Sequence, residues 1–341
     1  MTRCISVPKS EGENVRRMLM EQGLLDLGRR ISSDGGDLLI PVISDVPGFE
    51  TVDTELEEQK RAPRDYREVA DVPDGIRQSL PSSFDVVGDV AMIKLPDELI
   101  PYGKTIGEAL LTVNHSLRVV FQDHGVKGEF RIRDLERLAG EGPSETVHRE
   151  FGVSLRTDPA KVYFNPRLSS ERSRIAGLVG DGETVIDMFG GVAPFGTVIC
   201  HLARPAAVYS IDLNPEAERF AEINRDRNHI TVLHPMTGDS SELVYTLPPA
   251  DRVIMNLPQI AERFLGYALD RMKPGATAHM YKIIERDQFP GFVESLVAEA
   301  GSRGHRIEVE SSELKTYSPT MSVYSLDIHK IDGIVSSRGP E

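Results

Sequence analysis

The chain has only two cysteines in 341 residues, Cys4 and Cys200, far apart and without a C-x-x-C pair. That leaves no disulfide framework and no thiolate zinc site, and it fits a reducing cytoplasm. No apolar run approaches the roughly 18 residues that a membrane-spanning helix needs. Met1 to Lys9 holds no apolar core of the kind a signal peptide carries. Positive charge is in deficit: 39 Lys and Arg against 53 Asp and Glu give a formal charge of −14. No global basic field draws in nucleic acid, so any RNA contact has to come from local basic clusters. Internal repeats and low-complexity tracts are absent. What remains is a globular composition whose length predicts two or three domains, each with a real core.

The stretch that organises the rest is Asp187 to Phe195, Asp-Met-Phe-Gly-Gly-Val-Ala-Pro-Phe. Thr184-Val185-Ile186 before it is a β-branched run typical of a buried parallel strand. Pro194 opens a helix to Ala203. A second strand, Ala207 to Ile211, ends in Asp212, 25 residues after Asp187. Strand, glycine turn, helix and strand form a nucleotide-binding βαβ unit, with the second acid placed for a ribose diol. The pattern is not the dinucleotide G-x-G-x-x-G. An acid before the glycines suits a cationic ligand and would repel a pyrophosphate. The residues therefore favour S-adenosylmethionine over a dinucleotide, with an ordinary α/β turn as the plain alternative.

From there strands and helices alternate, which predicts a doubly wound, mostly parallel sheet in an α/β fold. Helices are expected at about Ser169 to Val179, Pro215 to Arg227, Ile260 to Met272 and Phe289 to Gly301. Strands are expected at Thr231 to Leu233, Asp251 to Met255 and Thr277 to Ile284, with a late hairpin of Arg306 to Glu310 and Ser322 to His329. Two small α+β units precede this domain. Residues 1–60 carry a strand at Cys4 to Val7, a helix in Glu11 to Leu25 and a turn at Ser33 to Asp37. Asp45 to Lys60 reads as a linker or exposed loop. This unit is an accessory binding module or a structural appendage. Residues 61–157 carry a strand pair in Phe84 to Ile93, a helix in Pro101 to His115 and a strand at Leu117 to Phe121. Gly128 to Glu136 then alternates, with Phe130 and Ile132 on one face and Arg131 and Arg133 on the other. The two arginines could grip phosphates, or they could pair with Glu129 and Glu136 on a solvated face. Residues 158–341 form the nucleotide-site domain.

Four strand ends of that domain carry polar groups: Asp187, Asp212, Asp239 and Asn256. In open parallel sheets, ligands sit at this rim. Asp187 is expected beside a methionine amino group, Asp212 on ribose hydroxyls, Asp239 and Ser240 near an adenine edge, and Phe189 against the ligand. Asn256-Leu257-Pro258 falls where amino methyltransferases carry an Asn/Asp-Pro-Pro-aromatic sequence.

Over nearly its whole length the sequence resembles the archaeal and eukaryotic tRNA (guanine-37-N1)-methyltransferases, which are class I enzymes with a Rossmann-like domain. The resemblance rests on Gly128-Glu-Phe-Arg-Ile-Arg133 with Leu138-Ala-Gly-Glu141, and on Val162-Tyr-Phe-Asn-Pro-Arg-Leu168 with Glu171-Arg172. It continues in Asp187-Met-Phe-Gly-Gly191 and Asn256-Leu-Pro258. It implies methyl transfer from S-adenosylmethionine to N1 of guanosine 37, beside the tRNA anticodon. By the same resemblance Arg131 contacts guanine O6, Glu171 is the general base, and Tyr163, Asn256 and Pro258 surround the target base. Arg172, Phe189, Asp212, Leu213, Asp239 and Ser240 match cofactor contacts. Magnesium is a further expectation, although no carboxylate cluster marks a site. Ala193 stands where the family often has glycine, and an alanine fits there only at negative φ. Arg167, Arg172 and Arg174 would weaken Glu171 as a base, so they are expected to point elsewhere. Two alternatives remain. One is a wybutosine-pathway transferase, whose members lack the Pro-Arg-Leu and Asn-Leu-Pro runs present here. The other is a non-catalytic tRNA-binding protein. Oligomeric state leaves no signal, and a monomer is the default expectation.

Overall fold

The structure is a computed structural model that describes residues 1–59 and 63–331. The alternating pattern beyond residue 180 folds into one sheet of seven strands: β1 (Thr184–Asp187), β2 (Ala207–Asp212), β3 (Leu233–Thr237), β4 (Ala250–Met255), β5 (Met272–Glu285), β6 (Arg306–Thr316) and β7 (Met321–Ile331). Their order is β3-β2-β1-β4-β5-β7-β6. The first five run parallel, and β7 lies antiparallel between β5 and β6. The chain leaves β1 to one side through β2 and β3 and returns to the other side at β4. The crevice at that reversal, outside the carboxyl ends of the strands, is where such sheets bind ligands.

Both sheet faces are covered by helices, so the central strands are apolar on both sides. Val185, Val208 and Ile254 pack on one face, and Ile186, Ile211, Val253 and Met255 on the other. The helices that frame the rim are α1 (Ser169–Leu178), α2 (Pro194–Leu202) and α3 (Pro215–Arg227), with α4 (Leu265–Arg271) and α5 (Phe289–Ser302) further along the chain. Asn214 caps α3 by accepting the Glu216 N–H at 3.0 Å, with Pro215 pre-set in the first turn.

Before the sheet, strands Thr146–Glu150 and Val153–Thr157 form a hairpin. Asn224 in α3 and Asn228 at its C-terminal cap stand in for a neighbouring strand. Asn224 binds both the N–H and the C=O of Arg156, and Asn228 does the same for Ser154. Asn214 also donates to the Lys161 carbonyl at 2.7 Å, which fixes the connection carrying Tyr163. Residues 85–140 form a sheet of Asp85–Val87, Val90–Ile93, Val119–Lys127 and Ile132–Gly140, in that order. Its second and third strands are parallel and are joined through the helix Gly103–Val113. Val87, Val90, Met92, Val119 and Phe121 belong to the same buried cluster as Val185 and Val208.

The chain divides into two units, Met1–Val69 and the remainder from Ala70. In the first, strand Thr2–Pro8 lies between Asp37–Pro41 and Thr51–Thr54, and helix Gly12–Glu21 buries Val15 and Leu19. The domain boundary drawn at residues 60 and 61 lies outside the described residues.

Several expectations need correction. The segment read as a linker from Asp45 contains an edge strand, Thr51–Thr54, hydrogen-bonded to the first strand; its end at Lys60 lies outside the described residues. A four-residue edge strand needs little apolar content, so composition hid it. The helix expected from Ile260 begins as a 3-10 turn, Ala261–Phe264, and becomes α-helical at Leu265. Gly128 to Arg131 is the turn between two strands, and the strand starts only at Ile132. Ala193 takes φ 58 and ψ 46 as the residue before α2. The left-handed conformation lets Ala193 N–H reach the Gly190 carbonyl at 2.9 Å while its own carbonyl starts the helix.

Left-handed alanine costs about 1–2 kcal/mol. Glycine would relieve that strain, but it would forfeit a buried methyl and gain unfolded-state freedom, about 1 kcal/mol or slightly more together. Ala193→Gly should therefore leave unfolding free energy within about 1 kcal/mol of the parent, whereas Ala193→Val should lose roughly 2 kcal/mol or more. Urea denaturation reads both, and a large loss in the glycine variant alone would contradict the assignment.

Candidate active site

A cavity of about 360 Å³ opens at the carboxyl ends of β1, β2, β3 and β4. Its floor is the loop after β1. Gly190 is required by packing, because a Cβ there would lie 1.9 Å from the Ser210 hydroxyl. Gly191 is required by its backbone, at φ 53. The glycines thus bring the loop against β2, and ligand approach follows from that. Asp212 fixes the arrangement. One carboxylate oxygen accepts the Gly191 N–H at 2.8 Å and the other the Asn214 N–H at 2.9 Å, while its main-chain carbonyl accepts from Gly238 at 3.0 Å.

Asp187 lies beneath this loop and does not line the cavity. It is fully buried, with one oxygen accepting the Phe189 N–H at 3.3 Å and the other without a partner. Burial pushes its carboxyl up to about 7, Asp212 adds to the rise, and the Phe189 bond offsets part of it. Burial also raises Asp212, against its two backbone bonds. Neither acid has a cationic partner among the described residues. Asp239 accepts the Ser241 N–H at 2.8 Å and starts the short helix that places buried Ser240 on the cavity wall. Phe189 packs edge-on against Phe264 at 5.0 Å, and Leu213 completes that side.

Arg131, Tyr163, Asn256 and Pro258 line the cavity as well. Arg131 occupies the strand-to-strand turn with φ 52, a strained conformation that holds its guanidinium 5.5 Å from the centre of the Tyr163 ring. Among the described residues it makes no ion pair. Arg133, expected beside it on an exposed face, is instead half-buried between Asp123 at 2.6 Å and Asp85 at 2.9 Å. Asp85 also accepts from Arg167 at 2.7 Å, which ties the turn to the Pro-Arg-Leu run. The Asn256 amide makes no hydrogen bond among the described residues, and the Pro258 carbonyl accepts the Ile283 N–H at 3.0 Å. Phe164 is a core residue, 2% exposed, whereas the neighbouring Tyr163 faces the cavity.

Glu171 and Arg172 sit differently from the other expected residues. Arg172 touches the wall, but its guanidinium grips Glu150 at 2.5 and 2.6 Å and the Asn165 carbonyl at 3.1 Å. Glu171 is buried beside the cavity without lining it. Its carboxylate accepts from Arg174 at 3.0 Å and from the Tyr281 hydroxyl at 3.1 Å. The expectation that Arg174 points elsewhere is therefore wrong. Asp327 and Ser325 of β7 anchor it beside the acid three residues back. Sequence reading also missed Phe130, Leu168, Gln259, Ile260 and Phe264 on the walls. Only Phe130 and Leu168, which fall inside motifs that carry the resemblance, gave any signal. A second cavity of about 810 Å³ around Asp89, Arg118 and Glu145 shares no lining residue with the first. Arg118 there is already taken up by Asp89 and three backbone carbonyls. No group of three or more His, Cys, Asp or Glu among the described residues could hold a metal ion. No helix among them is long and apolar enough to cross a membrane.

The strand order, the glycine loop and the acids at successive strand ends define a class I methyltransferase domain. Family models match three consecutive stretches: a tRNA methyltransferase 5 N-terminal domain over residues 4–50, a TYW2 N-terminal domain over 68–143 and the TRM5/TYW2 methyltransferase domain over 146–309. The chain is 40% identical over 330 residues to tRNA (guanine(37)-N(1))-methyltransferase Trm5b of Pyrococcus abyssi, covering 96% of this chain and 98% of that protein. The crystal structure of Trm5b from Pyrococcus abyssi superposes with a TM-score of 0.85 at 39% identity, over 97% of this chain and all of that one. A solved complex of aTrm5 with tRNALeu gives 0.79 at 35% identity, over 96% and 99%. The chain belongs to the archaeal and eukaryotic tRNA (guanine-37-N1)-methyltransferase family.

The buried Asp187 carries a pH signature. Its folded pKa, about 7, lies above the unfolded value, so its contribution to stability is complete below about pH 4 and is lost as pH rises through 7. Replacing it with asparagine removes that dependence. The unfolding free energy of Asp187→Asn relative to the parent should improve by roughly 1–4 kcal/mol between pH 4 and pH 8 without added ligand. Denaturation at the two pH values measures this, and a difference that does not change with pH would contradict the burial of an unpaired carboxylate.

Proposed function

We propose that the protein transfers the methyl group of S-adenosylmethionine to N1 of guanosine 37 in tRNA, in the cytoplasm. The observation that carries this reading is that one cavity gathers both sets of groups. The strand-end acids Asp212 and Asp239 line it together with Arg131, Tyr163 and Asn256, and among the described residues the arginine has no ion pair and the amide no hydrogen bond.

The residues present fit the cofactor. Two buried carboxylates without a cation suit a ligand carrying ammonium and sulfonium charge, and the orphaned Asp187 oxygen lies directly under the loop. When bound, S-adenosylmethionine supplies an electrophilic methyl group on its sulfonium sulfur. Asp212 would accept from the ribose hydroxyls. Asp239 and Ser240 would meet the adenine edge, Phe189 and Leu213 would cover the ring, and Arg172 would stiffen the wall. Asp187 would act through its negative potential from below.

Guanine N1 is a poor nucleophile while it holds its proton. A base must take that proton while a cation balances the charge gathering on O6. Arg131 suits the second task because no carboxylate competes for it. Glu171 suits the first after turning from Tyr281 and Arg174 toward the cavity beside it. Tyr163 offers a stacking face for a base drawn out of the anticodon loop. The Asn256 amide and the Pro258 segment would orient its edge. The three-part division into residues 1–60, 61–157 and 158–341 is kept as a functional one, with the first two parts serving tRNA recognition.

Single-turnover assays with labelled donor and tRNA transcripts bearing G or A at position 37 test the reading. Only the G37 transcript should be modified, and its nucleoside should gain one methyl; an aminocarboxypropyl mass would point to wybutosine-type chemistry. Glu171→Gln should slow transfer by ~10²–10⁴-fold with donor and tRNA affinity retained, and Arg131→Ala by ~10²–10³-fold. Parent rates in both variants would overturn the assignment.

A further inference from the structure

Helix α1 carries Glu171 and Arg174 at a spacing of three, a pair that on an open helix surface contributes little. Here β5 and β7 cover it, and Arg174 sits between two carboxylates. Its Nε donates to Glu171 at 3.0 and 3.2 Å, Nη1 to Asp327 at 2.7 Å, and Nη2 to Asp327 at 3.2 Å and to Ser325 Oγ at 2.9 Å. Asp327 is held in turn by His279 Nδ1 at 2.7 Å. His279 Nε2 lies 2.7 Å from an Arg252 nitrogen that can only donate, so the imidazole is neutral with its proton on Nδ1. Arg252 completes the chain on Glu183 at 2.9 and 3.0 Å. On the other side of Glu171, Tyr281 donates to Oε2 at 3.1 Å, and its ring is 6.1 Å from that of Phe195 on the cavity wall. Among the described residues, the groups that bond the Glu171 carboxylate are Arg174 and Tyr281.

We propose that Arg174, anchored by Asp327 and Ser325, is a positioning residue for the catalytic base. It parks the Glu171 carboxylate at the edge of the cavity, and Asp327 loosens that grip by competing for the same guanidinium. The inference rests on Glu171 being the base. When guanosine enters, the N1–H bond breaks and the proton passes to a Glu171 oxygen. Arg174 stays charge-balanced because Asp327 remains on it. An arginine paired with Glu171 alone would hold the carboxylate too firmly, and without an arginine only the Tyr281 hydroxyl would hold it in place.

The two halves of the device predict opposite changes. In single-turnover methyl transfer across pH 5–9, with donor and tRNA saturating, Arg174→Ala should move the acid limb of the rate profile up by about 1–3 pH units. Arg174→Lys should fall between that variant and the parent. Asp327→Asn should move the limb down and lower the plateau. Thermal melting and donor affinity identify folded variants, and the lysine and asparagine forms carry the test if the alanine form does not fold. Acid limbs that stay in place, or that move in the same direction in both, overturn the proposal. A parent rate in Glu171→Gln would sink the base assignment itself. An inactive Glu171→Gln with unmoved limbs elsewhere would sink only the role of Arg174.

Discussion

The Asp212 carboxylate is the constraint on which the site depends. It ends β2, and through two side-chain bonds and one main-chain bond it fastens the glycine loop, the cap of α3 and the turn after β3. Those three segments follow β1, β2 and β3 and lie beyond the ladder that aligns the strands themselves. A charged acceptor with N–H donors at 2.8 and 2.9 Å is stronger than a neutral one, so the cavity wall is set before any ligand contributes. The same acid, kept away from cations and raised by burial, is left with lone pairs facing the cavity. The negative pole of the site and its architecture are therefore one feature.

The positive pole follows from how the arginines are distributed. Arg133, Arg167, Arg172 and Arg174 are each bound to carboxylates. Arg172 with Glu150, both nearly buried, is the extreme case, where removing one partner would leave an uncompensated charge costing several kcal/mol, about 3–5. These arginines hold the Pro-Arg-Leu run against the middle sheet and the early hairpin. Arg131 alone in this neighbourhood is turned to the cavity without a carboxylate, and a strained backbone keeps it there. In a chain of net charge −14, electrostatic complementarity to a nucleic acid has to be this local.

Much of this was legible in the sequence. β-branched runs ending in Asp187, Asp212 and Asn256 announced the sheet and its rim, because fully buried parallel strands leave a continuous apolar signature. Pro215 to Arg227 was bounded correctly since cap and proline mark its start. The hairpin Thr146–Glu150 with Val153–Thr157 escaped because asparagine side chains on a helix complete its ladder. The turn at Arg131 escaped because alternation of side chains continues smoothly across it while φ changes sign. The setting of Glu171 was out of reach: its partners Tyr281 and, through Arg174, Asp327 lie 110 and more than 150 residues further on. Motif resemblance named the residue and could not say where its carboxylate rests.

In the proposed reaction one cavity holds the methyl donor on Asp212 and the extruded guanine on Arg131 and Tyr163. A structure of the protein with tRNA and a non-reactive donor analogue tests it most directly. The ribose hydroxyls should lie on Asp212, O6 of guanosine 37 on Arg131, and Glu171 should have left Tyr281 to face N1. A donor lodged outside this cavity, or a guanine seated with Arg131 far from O6, would contradict it.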